Sequence, residues 1–125
     1  MAVNYPTSVK TTRMQVVRDA IDAGAGAGTV EICTAAFAAV LITFTLSDPA
    51  SSVATDTLTL LSMPKNANAS AGGTAAVARI KDSDGTVVVN NLTVGTSGTD
   101  IIISNTTITN GAAYSLTAGT IVHAA

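Results

Sequence analysis

The chain has 125 residues and a mass of 12.4 kDa, enough for one domain with a single hydrophobic core. Hydrophobic residues make up 47% of it, but charged residues only 11%, against about 25% in an average soluble domain. Six lysines and arginines are too few and too dispersed to neutralise many phosphates, and no stretch approaches the roughly 20 apolar residues of a membrane span. We therefore expect no nucleic-acid or membrane partner, and a weakly charged surface that favours association with other proteins.

The first predicted element is a helix from Thr7 to Ala23. The apolar residues that recur there at helical spacing are Val9, Val16, Val17, Ala20 and Ile21. The side chain of Thr7 or Ser8 is expected to cap the start of the helix, and Gly24 is expected to end it in the left-handed conformation. The apolar stripe is expected to pack either on the chain's own sheet or on a neighbouring subunit.

Alternating glycines follow the helix in the stretch Gly24-Ala25-Gly26-Ala27-Gly28. Because glycine gives the backbone wide freedom, this stretch is expected to be a hinge between helix and sheet. It superficially resembles a phosphate-binding loop, but such a loop follows a strand and opens a helix, and here the order is reversed. The chain is thus expected to comprise a helix with its linker at residues 1–28 and a β domain at residues 29–125.

From Thr29 onward the apolar pattern has a period of two, which is typical of strands. The predicted strands cover residues 29–32, 40–46, 57–61, 74–81, 86–94, 100–105 and 113–123, the last with a break near Gly119. Phe44 is the predicted core anchor. The segment from Asp82 to Gly85 is predicted to be a hairpin turn, and the one from Asn66 to Gly73 an exposed loop.

Many short strands separated by turns are typical of sandwiches, jelly rolls and barrels. A parallel sheet would need helices between its strands, and the sequence shows no convincing helix after the first. We therefore predict an all-β fold, an antiparallel and jelly-roll-like β-sandwich, preceded by one N-terminal α-helix and a Gly/Ala linker.

Reactive side chains are scarce. His123 is the only histidine and Cys33 the only cysteine; we expect the first to end the last strand and the second to be a small buried residue. No spacing among the aspartates and the single glutamate predicts a converging pair. The segment Asp82-Ser83-Asp84-Gly85 is similar to the start of a calcium loop but lacks its later ligands. We predict no catalytic, cofactor-binding or metal-ligating residue, and no enzymatic activity.

Four segments together resemble small virion proteins of tailed bacteriophages. They read SVKTTRMQVVRDAIDAGAGAGTVEI near the N-terminus, ARIKDSDGTVVV and LTVGTSGTDIIIS in the centre, and GTIVHAA at the end. In that group a short helix, an IDAGAGAG linker, a DSDG hairpin, a VGTSG-D segment and a final Thr-Ile-x-His strand recur in this order. The resemblance spans nearly the whole chain.

The resemblance implies a structural protein on the phage particle, most simply a capsid cement or decoration protein. Its expected partners are the major capsid protein and further copies of itself, as a homodimer or homotrimer. The alternative is a binding module of the tail, neck or fibre. Since Met1 to Pro6 lack the features of a signal peptide, we expect synthesis in the host cytoplasm and a final location on the capsid surface.

Overall fold

A computed structural model of the chain describes residues 6–24, 26–47, 50–61 and 63–122. One helix, α1, spans Thr7–Ile21, and a short 3-10 turn spans Ala35–Phe37. The strands are β1 (Thr29–Cys33), β2 (Val40–Thr45), β3 (Ser51–Ala54), β4 (Thr57–Leu60), β5 (Lys65–Asn68), β6 (Gly73–Thr74), β7 (Val77–Lys81), β8 (Val87–Gly95), β9 (Ile101–Ile103), β10 (Thr107–Ile108) and β11 (Ala113–Val122). The fold is mostly β with one N-terminal helix, which confirms the predicted class.

The strands form a curled sheet in the order β2-β1-β7-β8-β9-β11-β4-β3, with β5 also paired to β11. Strands β10 and β6 form a separate two-stranded sheet. We call β2, β1, β7 and β8 the first half of the curled sheet, and β9, β11, β4 and β3 its second half. The two halves join where β8 pairs with β9.

The pairing of β8 with β9 is parallel, whereas the other pairings among the described strands are antiparallel. The expectation of a purely antiparallel sheet is therefore wrong at this junction. The physical reason is that the loop of residues 96–100 returns the chain to the level of Thr93, so that β9 then runs in the same direction as β8. Asp100 N–H donates to Thr93 Oγ1 at 2.9 Å, and Thr93 N–H donates to an Asp100 carboxylate oxygen at 3.2 Å.

The inner faces of both halves contribute to one hydrophobic core. Its largest fully buried side chains are Phe44, Ile21, Ile32, Leu41, Ile42, Leu58, Ile80, Ile101, Ile103, Leu116, Val30 and Cys33. Because alternate strand residues point to opposite faces, the apolar positions of each strand reach the same core. The prediction of Phe44 as a core anchor is confirmed.

The predicted bounds of α1 agree with the structure to within two residues, but its predicted cap is wrong. Pro6 occupies the N-cap position and makes no side-chain cap hydrogen bond. Its carbonyl accepts hydrogen bonds from the N–H groups of Val9 and Lys10 at 3.0 and 3.1 Å. Thr7 and Ser8 lie inside the first turn. The backbone carbonyl of Pro6 therefore accepts the hydrogen bonds at the start of the helix, and the hydroxyls of Thr7 and Ser8 do not cap it.

The buried face of α1 differs in part from the predicted stripe. Met14 and Ile21 are buried and Val17 packs against the core, whereas Val9 and Val16 are 39% and 65% exposed. The helix packs on β3, β4 and β8 of its own chain. Within the described residues, no helix is long and apolar enough to cross a membrane. The helix therefore joins the core of the sheet and keeps an apolar part of its surface in solvent.

The sequence does not predict β3, β5 or β10. The expected exposed loop from Asn66 to Gly73 is wrong in its first part, because β5 pairs with β11 over residues 65–68. The expected break near Gly119 is also wrong, since β11 runs through it; its register shifts earlier, between Leu116 and Ala118. Strands β3 and β5 are rich in alanine, serine and asparagine, which carry little intrinsic strand preference, and β10 has only two residues, so all three depend on their neighbours.

Candidate functional site

Cys33 and His123 are the reactive side chains that the sequence offers. Cys33 lies at the end of β1 and is fully buried, which confirms the prediction of a small buried residue. Burial raises the pKa of its thiol, so the thiol is neutral at neutral pH. His123 lies outside the described residues, and its expected place at the end of the last strand stays a prediction.

An ion-pair cluster lies on the outer face of the first half of the sheet. Glu31 of β1 lies opposite Arg79 of β7 in the strand register. One carboxylate oxygen, Oε1, is 2.6 Å from Arg79 Nε and 3.1 Å from Lys81 Nζ. The guanidinium of Arg79 also lies over the ring of Phe37, 5.2 Å from its centroid. The cluster thus links neighbouring strands through one carboxylate and two cations.

The environment of Glu31 favours its ionised form. Burial on its own raises the pKa of this carboxyl, but the hydrogen bonds and positive charges of Arg79 and Lys81 together outweigh burial and lower the pKa below its usual value of 4.5. Sequence reasoning missed this cluster. Arg79 and Lys81 share a face because they lie two residues apart in a strand, but their partner becomes visible only when β1 pairs with β7.

The segment Asp82 to Gly85 forms the predicted hairpin turn. An oxygen of the Asp82 carboxylate accepts hydrogen bonds from the N–H groups of Asp84 and Thr86, each at 3.0 Å. Gly85 has a φ of +88°, which glycine adopts without strain. Among the described residues, no group of three or more His, Cys, Asp or Glu side chains is placed to hold a metal ion. The carboxylate of Asp82 stabilises the turn through its hydrogen bonds to the N–H groups of Asp84 and Thr86.

The glycine linker contacts this hairpin. The hydroxyl of Ser83 donates to the carbonyl of Ala23 at 3.0 Å. Gly24 has a φ of +93°, which confirms its predicted left-handed conformation after the helix. Gly28 is buried, and a side-chain carbon there would lie 2.6 Å from the carbonyl oxygen of Lys81. Glycine is therefore required at position 28 for close packing, and the hinge expected from the sequence stays a prediction.

The outward-facing strand residues of the second half carry no charge, unlike those of the first; Asp56, in the turn between β3 and β4, borders them and accepts a hydrogen bond from the hydroxyl of Thr57 at 3.2 Å. Alternation along the paired strands directs one set of side chains away from the core: Ser52, Ala54, Thr57, Thr59, Ile102, Ala118, Thr120 and Val122. We call this set the uncharged face. Ser52 lies opposite Thr59, which lies opposite Thr120, and Val122 at its border is 60% exposed. The face is a row of hydroxyl and small apolar groups.

The sequence reasoning did not single out the uncharged face. The alternation within β4 and β11 is visible in the sequence, and it already separates Thr57 and Thr59 from Leu58. The sequence pattern does not show that β4 and β11 are neighbours in the sheet or that β3 is a strand. The face is therefore a property of the fold that the pattern of a single strand does not contain.

The exposed side of α1 presents a separate, apolar surface. A pocket of about 320 Å³ there is lined by Arg13, Met14, Val16 and Val17. The valines Val9 and Val16 lie seven residues apart, which places them on the same side of a helix. Exposed apolar side chains of this kind are common on protein surfaces, so the uncharged face, which extends over four paired strands, is the better candidate for a functional surface.

Comparisons of the chain with models of known protein families, with curated proteins and with solved structures gave no match.

Proposed function

We propose that this chain is a bacteriophage virion structural protein, a capsid cement or decoration protein that binds the outer shell of major capsid protein and stabilises the head. The observation that supports it best is the uncharged face on the second half of the sheet. The sequence segments resemble those of small virion proteins of tailed phages and occur in the same order, which supports a place on a phage particle. The proposed location is the capsid surface.

The uncharged face favours binding because it costs little to remove from water. A charged side chain buried in an interface without a partner loses its hydration, and this penalty often exceeds what a new contact returns. Hydroxyl groups such as those of Thr59 and Thr120 can exchange water for hydrogen bonds across an interface, and Val122 adds apolar area. Many weak contacts of this kind add up on a lattice of capsid subunits through multivalency.

We propose further that the curled sheet is a two-layered, jelly-roll-like sandwich. The shared core supports this, because Phe44 of the first half and Leu58 of the second half belong to the same buried cluster. In such an arrangement the two outer faces point in opposite directions. The uncharged face would then lie on the capsid and the Glu31 cluster would face away from it.

The test uses phage heads that lack this protein, mixed with the purified chain. Thr59→Lys places a charge in the middle of the uncharged face, and Thr43→Lys is its matched control, an exposed threonine on the outer face of the first half. We expect Thr59→Lys to weaken binding to heads at least about tenfold, because an unpaired buried charge costs well over the energy of a tenfold change. Thr43→Lys should bind within about twofold of the wild type, as a solvent-exposed substitution does.

The opposite ranking of the two variants would contradict the role of the uncharged face. Cryo-electron microscopy of whole particles then decides the location. Density for the chain across the capsid lattice supports the cement function. A bare shell with the chain confined to the neck, tail or fibre would overturn it and support the alternative of a binding module there.

A further inference from the structure

The side of α1 that faces away from the sheet carries a stripe of solvent-accessible residues. Met14 and Ile21 are buried on the other side, where the helix packs on β3, β4 and β8. The residues of the stripe recur every three or four positions, the spacing of a helix face that packs on a second helix. We call this set the outer stripe: Val9, Thr12, Arg13, Val16, Asp19 and Ala20.

The middle of the outer stripe is apolar. Val16 is the most exposed of the large apolar side chains among the described residues. The pocket lined by Arg13, Met14, Val16 and Val17 opens beside it. When two helices pack, an apolar side chain of one inserts between residues about one turn apart on the other. The stripe therefore offers both a side chain to insert and a pocket to receive one.

The charges of the outer stripe lie symmetrically about Val16. Arg13 lies three residues before Val16 and Asp19 three residues after it, and both are exposed. Asp19 also pairs with its neighbour Arg18 at 3.1 Å, but its side chain is 69% exposed and such a surface pair contributes little. The carboxylate of Asp19 can therefore accept a second cation. Because the spacings are equal, reversing the helix exchanges the positions of the two opposite charges.

We propose that α1 packs antiparallel against α1 of a second copy of this chain, about a two-fold axis at the level of Val16. Val16 of each copy then meets Val16 of the other, and Arg13 of each copy lies at the level of Asp19 of the other. Thr12 lies at the level of Ala20, and these small side chains let the helices approach closely. The interface has an apolar centre with an ion pair on each side of it.

A second copy fits the outer stripe because the stripe is complementary to itself. A two-fold interface presents the same surface on both subunits, so each charge must meet its opposite on an identical chain. A parallel pair would place Arg13 beside Arg13 and Asp19 beside Asp19, and like charges in contact weaken an interface. The antiparallel pair replaces both repulsions by attractions and also opposes the two helix dipoles. The order of charges thus selects both the partner and its direction.

The expected dimer is weak and independent of the proposed function. One helix from each copy buries less surface than a stable interface of standard size, so association should depend on concentration. The outer stripe shares no residue with the uncharged face. The dimer therefore leaves the proposed capsid-binding surface uncovered.

The first experiment measures the mass of the chain in solution by sedimentation, over a range of concentration up to about 1 mM. Arg13→Glu places a carboxylate at the level of Asp19 of the other copy, twice in each dimer, and Asp19→Arg places two guanidinium groups together in the same way. We expect each variant to raise the dimer dissociation constant about tenfold. The double variant Arg13→Glu/Asp19→Arg restores opposite charges and should return the constant to within about threefold of the wild type.

Lys65→Glu is the control for net charge. It makes the same change of charge as Arg13→Glu, but on β5 and outside the outer stripe. We expect it to keep the wild-type dissociation constant. A wild-type monomer, a trimer, or a dimer that Arg13→Glu does not weaken overturns the proposal, and so does a double variant no better than the single ones. Circular dichroism of each variant confirms that it is folded.

A second experiment tests the position of the axis by oxidation. With helix axes about 8–10 Å apart, the two Cα atoms at Val16 lie within about 6 Å of each other, in the range of about 4.4–6.8 Å that a disulfide spans. Val16→Cys should therefore form a covalent dimer on mild oxidation. Val9→Cys is the matched control, because the two copies of Val9 lie about 21 Å apart at a rise of about 1.5 Å for each residue.

The background and the contrary results of this experiment are also defined. Cys33 is fully buried and is the same in both variants. A covalent dimer of Val9→Cys would show a parallel pair and overturn the proposal. No covalent dimer of Val16→Cys would overturn the axis at Val16.

The outcomes separate the dimer from the proposed function. Arg13→Glu is expected to weaken the dimer and to leave the uncharged face able to bind heads, whereas Thr59→Lys is expected to lose head binding and to keep the dimer. A chain that forms the dimer but never binds heads would refute the cement function alone. A chain that binds heads but stays a monomer in solution would refute the helix pairing alone.

Discussion

The two halves of the curled sheet are alike on the inside and different on the outside. Both bury large side chains completely, Phe44 in the first half and Leu58 in the second. On the outer face of the first half, Glu31, Arg79 and Lys81 form a charged cluster, whereas the outward residues of the second half have no charge. Folding requires both inner faces to bury apolar side chains, so the two halves are alike there. The outer faces are under no such constraint, so a function of the surface is best sought where they differ.

The largest expected effects come from the inner faces, where the halves should not differ. Phe44→Ala should lower the free energy of unfolding by about 3–5 kcal/mol, and Leu58→Ala by about 2–5 kcal/mol, because each leaves a cavity in one shared core. Denaturant unfolding measures both. A loss below about 1 kcal/mol for Leu58→Ala would show that the second half does not depend on the core.

The next largest loss of stability is expected from the ion-pair cluster on the outer face of the first half. Glu31→Gln leaves Arg79 and Lys81 close together without their carboxylate, and their side chains are 23% and 22% exposed. We expect a loss of about 1–3 kcal/mol in the free energy of unfolding. Thr43→Gln, at the exposed position opposite Glu31 on β2, is the control and should stay within about 0.5 kcal/mol of the wild type. Equal losses in both variants would contradict a stabilising role of the ion pairs.

The smallest expected effect is the pH dependence of the difference in stability between the wild type and Glu31→Gln. The pKa of Glu31 in the folded chain lies below its usual value of 4.5, so the ionised form stabilises the fold above this pH. The contribution is lost as the pH falls through the folded pKa. The difference in melting temperature between the wild type and Glu31→Gln should therefore shrink in acid. A difference that stays constant from neutral to acid pH would show that charge is not its origin.

The sequence predicted the elements with a strong local pattern. The alternation around Val30 and Ile32 and the run ending near Phe44 contain β-branched and aromatic residues, and these strands are present. The hairpin at Asp82 to Gly85 is present because turn chemistry is local. Strands β3 and β5 have weak patterns and exist because β4 and β11 provide backbone partners.

The candidate site depends on this non-local information. The alternation of Thr57 and Thr59 in β4 is readable from the sequence, but its extension through Ser52 on one side and Thr120 on the other follows only from strand order. The same holds for Glu31, whose partner Arg79 lies 48 residues away along the chain. The sequence therefore contained the composition of the surface but not its arrangement.

The reciprocal hydrogen bonds between Thr93 and Asp100 have a consequence for the assembly of the sheet. They close a loop of a few residues at the seam between the two halves, and the entropy lost on closing a loop grows with its length. Pairing β4 with β11 must instead bring together positions such as Leu58 and Ile121 that are far apart along the chain. The seam between the two halves is thus closed by a short segment that the chain can order at low entropic cost.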